Sequence, residues 1–326
     1  MRRRSKSNQR FAHGFQRLRP WGDGRTVMVM KYVAYDRLLH PARASGGWAR
    51  FCIGLLVFVV LGLVLNTSLA VGMADGLSRL GLLPRGVNEL AEGRSPLTLI
   101  LLLFTFLGYI FALMAVLWLF HRRSSLLGLI GSLPVALRQG GRVFFYSALL
   151  FALVSLVPSD PDYPLQPNIP LGSWLVLLTP LLIGLFVQVS AEELVFRGYF
   201  QSQLAARGAP AVVWLILPSI CFGFLHHQPD LMGPNAWLIT AWSALFGLAA
   251  ADLTARAGTL GPAIAMHLIN NLYAIGIVSQ ADYLDGAALF VVARPLDDPT
   301  LIWDWVPQEI LITFCLWLVA RLALRR

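Results

Sequence analysis

The recurrence of apolar runs as long as a bilayer is thick constrains this chain more than any other feature. "WARFCIGLLVFVVLGLVLNTSLA" (residues 48–70) is such a run, and "WLVLLTPLLIGLF" (residues 174–186) opens another, expected over 174–205. The hydrocarbon core of a membrane is about 30 Å thick, and about 20 apolar helical residues cross it. Inside that core the backbone must satisfy its own hydrogen bonds, so runs of this length read as helices. The composition agrees: the chain has 326 residues, of which 57% are hydrophobic and 13% charged. A soluble domain is usually about 25% charged. The expected fold class is all-α, a polytopic membrane protein of about eight transmembrane helices around a polar intramembrane site. The expected spans lie near 49–70, 96–120, 143–158, 174–205, 211–227, 236–255, 259–278 and 303–322.

Loop charge supports that count and orients it. The net charge is +9, and much of the excess sits in "MRRRSK" with Arg10, Arg17 and Arg19, and in the terminal "ARLALRR". With the N-terminus inside, the loop around 121–142 is cytoplasmic and carries Arg122, Arg123, Arg138 and Arg142 without an acid. The loops at 158–171 and 228–235 fall outside and hold only acids, and the outer segment 279–300 is mostly acidic. Arg256 and the basic C-terminus fall inside. This is the positive-inside pattern, with both termini cytoplasmic. The first outer loop is the least clear, since Arg79, Arg85 and Arg94 face Asp75, Glu89 and Glu92. Because the basic residues follow topology and form no stripe interleaved with aromatics, no nucleic-acid partner is expected. The lipid bilayer is the expected partner, together with a membrane-associated peptide or protein substrate.

Cys52, Cys221 and Cys315 each sit in an apolar run and form no CxxC pair, so neither a disulfide framework nor a zinc knuckle is expected. Residues 1–47 form a basic, partly disordered N-terminal segment with no signal-peptide pattern, and 1–26 read as disordered. Residues 48–170 are N-terminal transmembrane helices. Residues 171–278 hold the polar clusters, and 279–326 an outer loop and the last helix.

Charged side chains at membrane depth are costly and usually functional. Three clusters stand out. "EELVFR" carries Glu192, Glu193 and Arg197. Glu193 and Arg197 are spaced i,i+4 and share a helix face, so the arginine can neutralise Glu193. Glu192 is turned about 100° away and is left free to act as a base. "SICFGFLHH" places Phe222 and His226 at i,i+4, with His227 turned toward the outer "QPD". "GPAIAMHLINN" places His267 and Asn271 on one face and Asn270 on another. At about 1.5 Å of rise per residue, three helices can bring Glu192, His226, His267 and Asn271 to a common depth. One carboxylate, two imidazoles and an amide can activate water, stabilise an oxyanion and protonate a leaving amine. They can do so with zinc held by His226, His267 and Glu192, or without metal. HExxH and GxSxG are both absent.

"EELVFRG", "FGFLH" and "HLINN" resemble, in order, the EExxxR, FxxxH and HxxxN/D motifs of the CPBP family of CAAX prenyl endopeptidases and bacteriocin-processing enzymes. The resemblance covers residues 175–278 and implies an intramembrane endopeptidase. It implies a catalytic core at 171–278 in which Glu192 activates water. His226, His267 and Asn271 would complete the site, and Glu193 and Arg197 would form a supporting pair. A zinc cofactor and a metal-free glutamate mechanism both remain open. The expected location is a prokaryotic inner or plasma membrane. The competing classes are a non-catalytic membrane immunity or scaffold protein that keeps the fold, and a proton-coupled transporter.

Overall fold

A computed structural model describes residues 32–44, 47–122 and 125–325. The segment 1–26 and Arg123 lie outside the described residues. The chain opens with a short helix α1 (Tyr35–Arg43), followed by α2 (Trp48–Arg79) and α3 (Val87–Glu92). α4 (Pro96–Thr105) and α5 (Leu107–His121) are separated only by Phe106 and together make one long rod. A single turn, α6 (Leu127–Ile130), leads to α7 (Leu133–Val154).

The second half begins with α8 (Leu171–Glu193), which continues as a π-helical stretch, Leu194–Gln201, into α9 (Ser202–Ala206). α10 (Ala211–Phe224), α11 (Pro229–Met232), α12 (Ala236–Ala257) and α13 (Gly261–Leu272) follow, and α14 (Leu301–Leu324) closes the chain. Small strands β1 (Gln166–Pro167), β2 (Val278–Gln280) and β3 (Phe290–Val292) pair in the order β1-β3-β2. β1 is antiparallel to β3 with Gln166 opposite Val291, and β2 is parallel to β3 with Ser279 opposite Val291. The fold is therefore nearly all-α rather than strictly so. The stretches 158–171 and 279–300, expected as plain loops, are stitched into one cap.

Among the described residues, five helices are long and apolar enough to cross a membrane: Trp48–Arg79, Pro96–His121, Leu171–Ala206, Pro229–Ala257 and Trp305–Leu324. The three other expected spans take different forms. α7 starts ten residues before the expected 143 and so includes Arg138, Gln139 and Arg142. α10 has 14 residues and α13 has 12, which gives lengths of about 21 and 18 Å, short of a bilayer. Both short helices carry the polar clusters, and both pack among longer helices.

Close helix contacts depend on small residues, as expected where packing rather than water expulsion drives association. A Cβ at Gly223 of α10 would lie 2.5 Å from the Thr240 carbonyl of α12. A Cβ at Gly140 of α7 would lie 2.9 Å from the Gly261 carbonyl at the start of α13. The core runs through Leu113, Leu117, Leu185, Phe222, Phe246, Leu253 and Met266. The outer face of α2, by contrast, exposes Ile53, Leu56, Val60, Leu63 and Val64. An apolar outward stripe suits lipid, not water.

α1 falls inside the N-terminal segment 1–47, where no span is expected, and beyond the stretch 1–26 that reads as disordered. Its Tyr35, Leu38, Leu39 and Ala42 are buried while Asp36, Arg37 and Arg43 face out. The ambiguous charges of the first expected outer loop are also accounted for. Arg85 grips Glu92 through both nitrogens, at 2.6 and 2.8 Å, and Arg94 pairs with Asp282 of the cap.

Candidate active site

The site is built where α8 gives way to its π-helical continuation. π-helical turns are rare and often mark functional segments. Here the wider turn carries Arg197 and Gln201 onto α12. Arg197 Nη2 donates to the Gly247 carbonyl at 3.1 Å, and Gln201 Nε2 donates to the Ala251 carbonyl at 3.1 Å. Gly247 makes this approach possible: a Cβ there would sit 3.2 Å from Arg197 Nη2 and 3.3 Å from Phe222 Cδ1. The guanidinium lies 4.6 Å from the centre of the Phe222 ring, a cation–π contact.

Glu193 is fully buried. Its Oε1 accepts from Arg197 Nη1 at 3.0 Å and from His267 Nδ1 at 2.9 Å. A buried carboxylate needs such partners, because an isolated charge in a low-dielectric interior is strongly unfavourable. The bond also fixes the His267 ring. With Nδ1 turned to Glu193, Nε2 faces Glu192, 3.5 Å from its Oε2. Phe222 and Phe246 meet the ring edge-on, at 5.8 and 5.1 Å between centroids.

The two adjacent acids have different surroundings. Glu193 is 0% exposed at its side chain, whereas Glu192 is 12% exposed. Glu192 Oε2 is buried without a hydrogen-bond partner among the described residues. One carboxylate is thus held between an arginine and a histidine, while its neighbour has an oxygen in reserve beside the histidine's other nitrogen.

Asn271 lies one turn beyond His267 on α13. Its Nδ2 donates to Gln188 Oε1 at 3.0 Å, and its Oδ1 accepts from Asn270 Nδ2 at 3.3 Å. His226 is half-buried just past the end of α10, with Nδ1 3.0 Å from the Phe222 carbonyl. Its ring stands 4.8 Å from Phe222, the ring that also meets His267. The structure therefore joins Glu192, Glu193, Arg197 and His267 in one network. Asn271 sits a turn away, and His226 is linked to the network through Phe222 rather than by a hydrogen bond. His227, expected to point toward the outer turn, instead bonds Thr240 Oγ1 at 3.0 Å and packs on Trp237.

Among the described residues, no group of three or more His, Cys, Asp or Glu is arranged to hold a metal ion. His267 Nδ1 is taken by Glu193, and His226 lies across Phe222. Glu192, His226 and His267 do not form such a group in this structure.

Three contributors escape a search for charged motifs. Gln188 has a signal, since it precedes Glu192 by four residues and shares its face. Gly247 and Phe246 have none, because a helical glycine beside an aromatic is ordinary in a core. A separate buried pair, His121 Nε2 and Tyr199 Oη at 2.9 Å, packs against Gly54 and stands outside the network.

Residues 172–273 match the family model described as type II CAAX prenyl endopeptidase Rce1-like. No curated protein and no solved structure matches the chain. The matched segment, under a third of the chain, contains Glu192, Glu193, Arg197, His226, His267 and Asn271, and it supports a likeness to the CAAX family of membrane proteases.

Proposed function

We propose that this protein is an intramembrane endopeptidase that cleaves membrane-associated CAAX-type substrates with Glu192 as general base. The observation that carries the proposal is the division of labour between the acids. Glu193 is engaged through Oε1 by both Arg197 and His267, whereas Glu192, the more exposed of the two, keeps Oε2 without a hydrogen bond 3.5 Å from His267 Nε2. A base must have a lone pair to spare, and Glu192 has one.

In the proposed reaction Glu192 takes a proton from water, and the water oxygen bonds to the scissile carbonyl carbon. The Asn271 amide nitrogen donates to the oxygen that becomes negative. The C–N bond then breaks, and the proton on Glu192 passes to the leaving amine, giving a carboxylic acid and an amine. His267, fixed by Glu193, holds Glu192 in place and shares its proton. His226 completes the wall on the far side of Phe222. Residues 171–278 form the catalytic core in this scheme.

The same proposal puts both termini on the cytoplasmic side, in a prokaryotic inner or plasma membrane. Tyr32 and Trp317 support the shared side. Both bond Asp252, one turn from the basic Arg256, so the two ends of the described chain meet at one end of the bundle.

The test is cleavage of a fluorogenic peptide ending in farnesyl-cysteine plus three residues, by protein in proteoliposomes. Wild type should release the tripeptide. Glu192→Gln should lower kcat by about 100-fold or more, the range of general-base catalysis. Unchanged turnover would remove Glu192 from the mechanism. An intact peptide together with a Glu192-dependent proton flux would favour a transporter.

A further inference from the structure

We propose that Gln188 is a positioning residue, orienting the Asn271 amide so that an N–H points at the reacting carbonyl; this rests on the function proposed above and deepens it. α8 and α13 pack side by side and are joined by two polar rungs. The first is His267 with Glu193, at 2.9 Å, and with Glu192, at 3.5 Å. The second is Gln188 with Asn271, at 3.0 Å. Gln188 precedes Glu192 by four residues and Asn271 follows His267 by four, so the rungs lie one helical turn apart, about 6 Å. The second rung is where the carbonyl of a peptide attacked beside Glu192 can reach.

An asparagine amide presents a donor or an acceptor depending on which way it is turned. Two contacts set it here. Gln188 Oε1 accepts from Asn271 Nδ2, and Asn270 Nδ2 donates to Asn271 Oδ1 at 3.3 Å. One Nδ2 hydrogen is used by Gln188, and the other is left for the substrate. The reverse orientation would turn a carbonyl lone pair toward a developing oxyanion, a repulsive contact. Gln188 itself is 8% exposed, between the buried Leu185 and Val189. An amide in such surroundings is unfavourable unless it is hydrogen-bonded. The hydrogen bonds that fix this amide's orientation are those to Gln188 and from Asn270.

The experiment measures kcat and KM separately on the farnesylated peptide, in proteoliposomes. Gln188→Met keeps the length and removes the acceptor. It should lower kcat by about tenfold or more with KM within about twofold, since a misdirected oxyanion donor costs turnover. Gln188→Glu keeps an oxygen acceptor and should restore most of kcat. Gln188→Asn is shorter by one methylene, loses the contact and should behave like Gln188→Met, which covers a methionine variant that fails to fold. The decisive comparison adds Asn271→Ala. In that background Gln188→Met should change kcat by less than about twofold, because the residue it positions is gone. Effects that multiply, an unchanged kcat, or a change confined to KM would each overturn the inference. If wild type leaves the peptide intact, or Glu192→Gln is fully active, the proposed function fails and this inference with it. Wild-type cleavage with independent Gln188 and Asn271 effects overturns this inference alone.

Discussion

Two buried acid–arginine pairs with the same i,i+4 spacing sit on adjoining elements of this bundle, and they are finished differently. Glu193 and Arg197 lie in the site, and Asp252 and Arg256 lie at the end of α12. Around Asp252 both carboxylate oxygens are occupied. Arg256 Nε donates to both, at 2.9 and 2.8 Å, Tyr32 Oη donates to Oδ1 at 2.7 Å, and Trp317 Nε1 donates to Oδ2 at 2.9 Å. Burial and the neighbouring Asp252 carboxylate push the Tyr32 phenol up, so it stays a donor at every physiological pH. In the site, Glu193 Oε2 and Glu192 Oε2 are buried without hydrogen-bond partners among the described residues. A fully satisfied buried carboxylate fastens elements together. A cluster with oxygens in reserve beside an imidazole has capacity left for a reactant.

Glu193→Ala tests that difference most severely. It removes the partner of Arg197 and of His267 Nδ1 together and leaves a buried guanidinium unpaired. Breaking a buried pair from one side costs about 3–5 kcal/mol. The expected outcome is a large fall in thermal unfolding temperature in detergent, with no measurable peptide cleavage. A variant that keeps both would show that the pair is not needed. Asp252→Ala should separate the two regions. It removes the acceptor shared by Arg256, Tyr32 and Trp317, and because the pair is slightly exposed the cost should be smaller, about 2–3 kcal/mol. The folded fraction should retain wild-type kcat, since nothing at Asp252 touches the site. A selective loss of kcat at unchanged stability would overturn the contrast.

How much of this is legible in the sequence follows from the range of each signal. Adjacent acids with an arginine four residues on are a local pattern, and local geometry alone implies that Glu193 takes the arginine. The third partner, His267, is 74 residues away, and only tertiary packing brings its Nδ1 to Glu193. The five long rods are legible because hydrophobic length is a one-dimensional property. α10 and α13 were expected at bilayer length because adjoining apolar residues extend the run past the helix end. Phe224 and Leu272 end the α-helices, and the apolar residues that follow belong to a turn and a π-helical stretch. α1 was invisible to a search for spans, because nine residues with four buried make an amphipathic helix too short to register. The cap sheet has strands of only two and three residues, too short to show a period, and its β1–β3 pairing joins segments more than 100 residues apart.

The cap supplies a third pair, Arg294 with Asp298, which extends the comparison to an end of the bundle outside the spans. Asp298 takes the Thr300 backbone N–H at 2.9 Å, the Thr300 hydroxyl at 2.8 Å, Arg294 Nε at 3.0 Å and the Tyr163 hydroxyl at 3.1 Å. The backbone N–H and hydroxyl of Thr300, then Arg294, hold its carboxyl well below the usual carboxylate range. A depressed folded-state pKa stabilises the fold at any pH above the unfolded value, about 3.9, and that contribution is lost as pH falls further. Between pH 5 and 8 the cap should therefore be insensitive to acid. Below about pH 4 hydrogen exchange in 290–300 should rise before exchange in α8 does. Asp298→Asn should remove that acid-dependent step while leaving peptide cleavage at neutral pH within about twofold of wild type, since the hydrogen bonds of Asp298 go to Thr300, Arg294 and Tyr163 of the cap. Exchange that rises in α8 and the cap together would mean that the cap and the site share one cooperative unit, and that the third pair is coupled to the first after all.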